Sequence, residues 1–466
     1  MTSAPVPASA AARIPQHLPD KLTICLWDFS WYTQAGPGQP YADLAGAMQE
    51  TKARGYNAVR ICAAPMLLFS PQAAADQELA AGKINLANLG RRAVGNVAGD
   101  SGNSAAIGSA SDLAASYFGE ATRWYNTPGS GELNLRERFF NLLRLARAHQ
   151  MVVIISSWEF QQSAAFGATE QWWRMLEAMP LKQRFGALAI ALDRLLDAVA
   201  AQGLSETIAF TELHNELDFS MLPQPDDTSQ HVAHPQAYGA LTWLKERHPQ
   251  QLFTLSFGRP PHKAMHTAAP TEVGQFHIYA YGVLDALQRE IDIRDTASAG
   301  FPNQVLQSLQ VEGAETFEEF GRPDTWKLQA TVITDQMIYG YDTVDGERWD
   351  QWLNEHYPQY RESMLQEIES RVLAIARWGE EHQAPIVIGE GWIGYTPLHS
   401  EFEEGPHGRE LAEHGIQIAA AQGVWGVVTC SNAAPHHPMW TDHSWTEWQT
   451  RVTKEFRNHG GIATEF

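Results

Sequence analysis

Residues 207–216 read TIAFTELHNE, an apolar, β-branched run that ends in a histidine, an asparagine and two glutamates. A run of this kind fits a buried parallel strand whose C-terminal end opens onto a polar site. The stretch before it, LKQRFGALAIALDRLLDAVAAQG (181–203), repeats apolar residues at three- and four-residue spacing and predicts a helix. Helix followed by strand is one turn of a parallel βα arrangement, and the same unit recurs on both sides.

Seven other stretches predict strands: LTICLWDF (22–29), AVRIC (58–62), MVVIISSWEF (151–160), QLFTLSFG (251–258), VGQFHIYAYG (273–282), APIVIGEGWIGY (384–395) and VWGVVTCSNAA (424–434). Helical periodicity is expected over 41–57, 133–150, 235–248, 360–382, 408–423 and 445–460. Eight strands separated by helices or insertions predict a (β/α)8 TIM barrel, an α/β fold, spanning 22–466 as one catalytic unit. Two long βα-loop insertions interrupt it. One covers about 63–130, is rich in Ala, Gly and Ser and is expected on the surface; the other covers about 283–380 and is acidic and Trp-bearing. The Ala-, Pro- and Ser-rich residues 1–21 predict a flexible tail, without the basic and apolar regions of a signal peptide.

The bulk properties narrow the partners. Among 466 residues the formal net charge is -21, which repels nucleic acid and anionic lipid, so a neutral partner fits best. No apolar run reaches the roughly 18 residues that a membrane span requires. Cys25, Cys62 and Cys430 lie far apart inside apolar runs, as buried free thiols do, and the reading is of a cytoplasmic protein. No glycine pattern for phosphate or dinucleotide binding follows any expected strand, and no cofactor is expected.

In a barrel of this kind the site lies at the C-terminal mouths of the strands. The sequence places Asp28 and Trp31 at the first mouth, Arg60 in the second strand, Trp158 and Glu159 at the third, and His214, Asn215 and Glu216 at the fourth. His277 and Tyr279 come at the sixth, and Glu390 and Trp392 at the seventh. Glu216 and Glu390 come from opposing strands, and glycoside hydrolysis needs such a pair: one carboxyl protonates the leaving oxygen and one meets the developing oxocarbenium carbon. The first must keep its proton near neutrality and the second must stay ionised, for which Arg60 and the Tyr279 hydroxyl are suitable partners. Glu212, two residues before His214, is expected on the inner face deeper in the barrel as an ion-pair member. Tryptophan faces complement the C–H face of a sugar ring, so at least two of Trp27, Trp31, Trp158, Trp392 and Trp440, otherwise core residues, are expected as stacking platforms.

HNE at the fourth strand, HIY at the sixth, IGEGW at the seventh and NAVRI at the second resemble clan A of the retaining glycoside hydrolases, specifically its cellulase-like members. The resemblance covers about 22–460 apart from the insertions. It implies that Glu216 is the acid/base, Glu390 the nucleophile, Asn215 a donor to the substrate 2-hydroxyl and Tyr279 the group that orients the nucleophile.

Two other signals carry less. GDSG (99–102) would need a histidine and an aspartate upstream to be a serine-protease segment, and the one histidine before it is His17 in the tail. In PHHPMWTDH, adjacent histidines point in different directions, so a substrate-contacting loop is expected there and no metal. The expected function is therefore a retaining glycosidase for small glycosides or oligosaccharide ends, its pocket walled by the two insertions. A transglycosylase using the same residues, or a sugar-binding barrel without catalysis, is the alternative, and homo-oligomerisation is left open.

Overall fold

The computed structural model describes residues 13–87, 129–224, 235–259, 271–294, 300–394, 396–431 and 433–459. Eight parallel strands form the barrel: β1 (Leu22–Asp28), β2 (Ala58–Cys62), β3 (Val152–Ser156), β4 (Ile208–Glu212), β5, β6 (Gly274–Tyr279), β7 (Ile386–Trp392) and β8 (Gly426–Val428). β5 is broken at Leu255 into Phe253–Thr254, which pairs with β4, and Ser256–Phe257, which pairs with β6. Because the two halves are consecutive in the chain, the ring closes through them, and the fold is the (β/α)8 barrel that the strand count predicts.

Alternation along the strands sorts side chains between two cores. Ile24, Ala58, Ile154, Phe210 and Val387 fill the inside of the barrel near its N-terminal end, whereas Cys25, Val59, Ile61 and Ile155 face the surrounding helices. Inner-facing positions further along β2 and β4 are not apolar: they are Arg60 and Glu212, both fully buried. The barrel therefore has an apolar floor and a charged upper layer beneath its C-terminal mouth.

Among the described residues, the longer helices around the ring are α1 (Leu44–Ala53), α2 (Leu135–Ala148), α3 (Arg184–Ala201), α4 (Pro235–Arg247), α5 (Gly346–His382), α6 (Pro406–Ala421) and α7 (His443–Asn458). The helix expected from 360 begins at Gly346, where the Asp345 carboxylate accepts the backbone N–H groups of Glu347 and Arg348. α5 then runs on to pack against β6, β7 and α6, so one continuous helix joins the second insertion to the barrel wall.

Part of the first insertion is not at the surface. Pro65–Phe69 forms a helix whose first four residues are buried against α3, and its backbone N–H groups at Met66 and Leu67 are held by the buried Glu159 carboxylate. Lys83–Leu86 and Gly131–Asn134 form an antiparallel pair, and residues 88–128, including GDSG, lie outside the described residues. Of the tail expected to be flexible, residues 13–21 pack at the barrel floor: Leu18 is buried, and the Pro19 carbonyl accepts the Trp425 indole N–H at 2.9 Å. Residues 1–12 lie outside the described residues. No described helix is long and apolar enough to cross a membrane.

Candidate active site

Beneath the C-terminal mouth, Arg60 organises the charged layer. Its Nε and Nη2 donate to the two oxygens of Glu212 at 2.7 and 2.8 Å, its Nη1 donates to Glu390 Oε1 at 2.7 Å, and Nη2 also reaches Asn215 Oδ1 at 2.6 Å. Glu212 is held as well by the Ser156 hydroxyl and by Gln275, which fits the deep ion-pair place expected for it. Burial disfavours the charged guanidinium, but the Glu212 and Glu390 carboxylates outweigh that and raise the Arg60 pKa. The guanidinium lies 4.7 Å from the centre of the Trp158 ring, which lines the cavity above it.

The HxY pattern of β6 puts His277 and Tyr279 on one inner face, alongside β7. The Tyr279 hydroxyl donates to Glu390 Oε2 at 2.7 Å. His277 Nδ1 lies 2.8 Å from Glu216 Oε1 and 3.5 Å from Glu390 Oε2. Burial raises the Glu390 pKa, but His277, Arg60 and Tyr279 together overcome it and hold the carboxyl below the usual carboxylate range. For His277 burial likewise opposes charge, and the two glutamates outweigh it and raise its pKa.

Glu216 lies beyond the end of β4, at φ 39°, in the left-handed region that non-glycine residues rarely adopt. Its backbone N–H is held by the Ser256 hydroxyl at 2.8 Å, and Gln161 Nε2 donates to its Oε2 at 3.0 Å. Asn215 Nδ2 donates to Gln161 Oε1 while Arg60 fixes its carbonyl, so the amide is oriented with its NH2 group toward the cavity wall. One oxygen of Glu216, one of Glu390 and a ring nitrogen of His277 all lie within 4.8 Å of one another. Both glutamates open onto a cavity of about 460 Å³.

Asp28 lines the same cavity from β1, at φ 42°, and its Oδ1 accepts the Ser30 N–H at 2.5 Å. Burial, with the Glu390 charge nearby, pushes its carboxyl up to about 7 despite the Ser30 hydrogen bonds. His214 is scaffold: Nε2 accepts the Phe160 N–H at 3.2 Å, so Nδ1 donates to the Asn215 carbonyl, and burial lowers its pKa to about 4. It does not line the cavity.

Four of the candidate platform tryptophans lie elsewhere, Trp27 being wholly buried with its ring edge-on to Tyr41. Trp31 is wholly buried and donates its indole N–H to the Cys62 carbonyl at 3.0 Å. Trp392 points outward from β7 against Ile368 and Gly415. Trp440 is buried between the Tyr56 ring and the Arg54 guanidinium, which lies 3.9 Å from its ring centre. In each case packing between barrel and helices claims the large apolar surface. The histidines of 436–443 diverge: His436 lines the cavity and bonds the Tyr41 hydroxyl, His437 faces Glu404, and His443 is exposed beside Glu447.

The sequence reading missed Gln161 and Phe219. Gln161 sits in an irregular segment after β3, with no periodicity to mark it, and Phe219 is one of many aromatics. Val332, Ile333 and Met337 of the second insertion also line the cavity, and the Val332 N–H donates to the Gln161 carbonyl at 3.0 Å. That insertion therefore closes over the mouth that carries the two glutamates.

The parallel eight-stranded barrel is a fold shared with known glycoside hydrolases, and the chain resembles the cellulase-like ones. Residues 24–98 match the cellulase-like family, described as sugar-binding cellulase-like. A protein of Parabacteroides distasonis described as a candidate glycoside hydrolase shares the fold with a TM-score of 0.61 at 18% identity, over 95% of both chains. The endo-β-1,4-mannanase from Thermotoga petrophila aligns with a TM-score of 0.47 at 12% identity, over 96% of this chain and 79% of its own. No curated protein sequence matches the chain.

Proposed function

We propose that the protein is a retaining O-glycosidase that acts on small glycosides or oligosaccharide ends, with Glu390 as nucleophile and Glu216 as acid/base. The observation that carries this reading is the convergence of the two glutamates, from β4 and β7, on His277 Nδ1 at the base of one cavity. Oxygens within 4.8 Å suit direct attack by the second carboxylate, because an inverting pair stands about 6.5 to 9.5 Å apart to admit a water.

In this mechanism Glu390, kept ionised by Arg60 and Tyr279, attacks the anomeric carbon as the bond to the leaving oxygen breaks. Glu216 gives its proton to that oxygen. A water then enters where the leaving group stood, Glu216 takes a proton from it, and the oxygen attacks the anomeric carbon and releases Glu390. Asn215, its amide fixed by Arg60, is placed to meet a sugar hydroxyl beside the reacting carbon. The insertion residues over the mouth favour short substrates over a long polymer in an open groove. Three free, buried thiols support a cytoplasmic location.

A screen of aryl β-glycosides across common sugars tests the reading. At least one should be turned over by the wild type and not by Glu390→Gln. Sugar binding with no turnover of any member would replace the enzyme by a sugar-binding barrel.

A further inference from the structure

The cavity is electrically lopsided. Toward β1 and β7 it presents Asp28 and Glu390, and toward β5 and β6 it presents Arg259 and Arg294, with Glu216 between them beside Gly258. Arg259 is exposed, and its guanidinium lies 4.7 Å from the centre of the Phe219 ring. Asp218 Oδ1 accepts the N–H of its neighbour Gly258 at 2.9 Å, and the contact given for the guanidinium among the described residues is the Phe219 ring. In a chain of net charge -21, Arg259 thus brings a positive group to the rim of the cavity that holds the two glutamates.

Its position along the substrate path can be read from the chain. Gly258, next to Arg259, lies against both Glu216 and Phe219: a Cβ built there would stand 2.8 Å from Glu216 Oε1 and 2.6 Å from the Phe219 ring. Phe219 itself follows Glu216 by three residues and is 41% exposed. The acid/base must stand beside the leaving oxygen, so the wall formed by Phe219 and Arg259 flanks the leaving group, while Asp28 lies toward the sugar that is attacked. An exposed ring offers a face to sugar C–H groups, and a guanidinium beside it offers a planar fork suited to a carboxylate or sulfate.

Resting on the glycosidase reading above, we infer that Phe219 and Arg259 form a leaving-group subsite for a sugar that carries an anionic substituent, a carboxylate or a sulfate. The Phe219 ring takes the apolar face of that sugar and Arg259 takes the anion, with Arg294, which lines the same side over the Tyr281 ring, adding to the positive field. The neutral partner that the net charge favours then describes only the other end of the substrate. Charge-assisted bonds of this kind are shorter and stronger than neutral ones, and at a partly exposed rim they weaken as salt screens them.

The test is direct binding, without turnover. D-glucuronate, glucose 6-sulfate and glucose are titrated into the full-length protein, with calorimetry as readout. At low ionic strength at least one of the two anions should bind ten-fold or more tightly than glucose, and the preference should fall to two-fold or less in Arg259→Ala or in about 0.5 M salt. Arg259→Lys should keep part of it, and Phe219→Ala should weaken all three sugars. Glu390→Gln should keep the preference while losing turnover. Equal binding of all three sugars, or a preference unchanged in Arg259→Ala, overturns the inference and leaves the glycosidase reading standing. An Arg259-dependent preference in a protein that turns over no glycoside has the opposite meaning.

Discussion

Arg60 and Glu390 meet at 2.7 Å with the guanidinium wholly shut off from water, and the same guanidinium already grips both oxygens of Glu212. One buried cation thus serves two buried carboxylates, with His277 as a second positive influence on Glu390. Removing Arg60 takes the bidentate partner from Glu212 and one of the groups that hold Glu390 ionised. Arg60→Met should therefore cost about 3 to 5 kcal/mol, as broken buried pairs do. Urea unfolding checks this, with Arg60→Lys falling between the two; a midpoint equal to the wild type would show that the network contributes little.

Tyr279→Phe removes one hydrogen bond to the carboxylate of Glu390 and leaves the ring in place. A hydrogen bond to a charged group is worth about 1.5 to 3 kcal/mol, so turnover should fall roughly ten- to a hundred-fold. The pH profile should move too. Glu390 is held below the usual range, so both its ionised form and the stability it contributes are present above its unfolded pKa and are lost as pH falls through the folded one. Without the tyrosine donor that folded value rises, and the acid limb of kcat/KM should shift to higher pH. An unmoved limb assigns it to another group.

Gly258→Ala places a methyl group where Phe219 and Glu216 Oε1 now stand. The backbone there is ordinary, so the effect is steric and local. Turnover should drop by about ten-fold or more, because a displaced acid/base loses its alignment with the leaving oxygen. Substrates with an activated phenol, which needs no proton to leave, should suffer less in the first step. Uniform loss across leaving groups would place the damage elsewhere.

Asp28 provides a second pH signature. Burial raises its pKa to about 7, so its carboxylate becomes available to sugar hydroxyls only as pH rises through that value. KM should fall across this range, and Asp28→Asn should abolish the inflection. Persistence of the inflection in the variant would rule out Asp28 as its source.

The barrel was legible because each strand is buried on both faces and so reads as a largely apolar run, with its charged residues from the middle of the run toward the mouth. The same logic brought Arg60, Glu216, His277, Tyr279 and Glu390 together, since alternation along β6 and position at strand ends fix their direction. It failed for Trp27, Trp31, Trp392 and Trp440, because a tryptophan near a strand end serves a sugar or a helix equally well until the packing is known. Gln161 and Phe219 escaped notice because they lie in irregular segments, where no period tells inward from outward. The break in β5 at Leu255 also has no mark in sequence: each half is one phenylalanine and one small hydroxyl residue, and pairing with different neighbours separates them.

The central claim is that Glu390 attacks the sugar directly, and the configuration of the first product tests it most simply. Hydrolysis of whichever aryl β-glycoside the enzyme accepts can be followed by proton NMR before the released sugar mutarotates. Two successive displacements, Glu390 attacking from the face opposite the leaving group and water from the face the leaving group vacated, predict that the β-anomer forms first and decays to the equilibrium mixture. Initial release of the α-anomer would mean that water, and not Glu390, makes the attack, and would contradict the account.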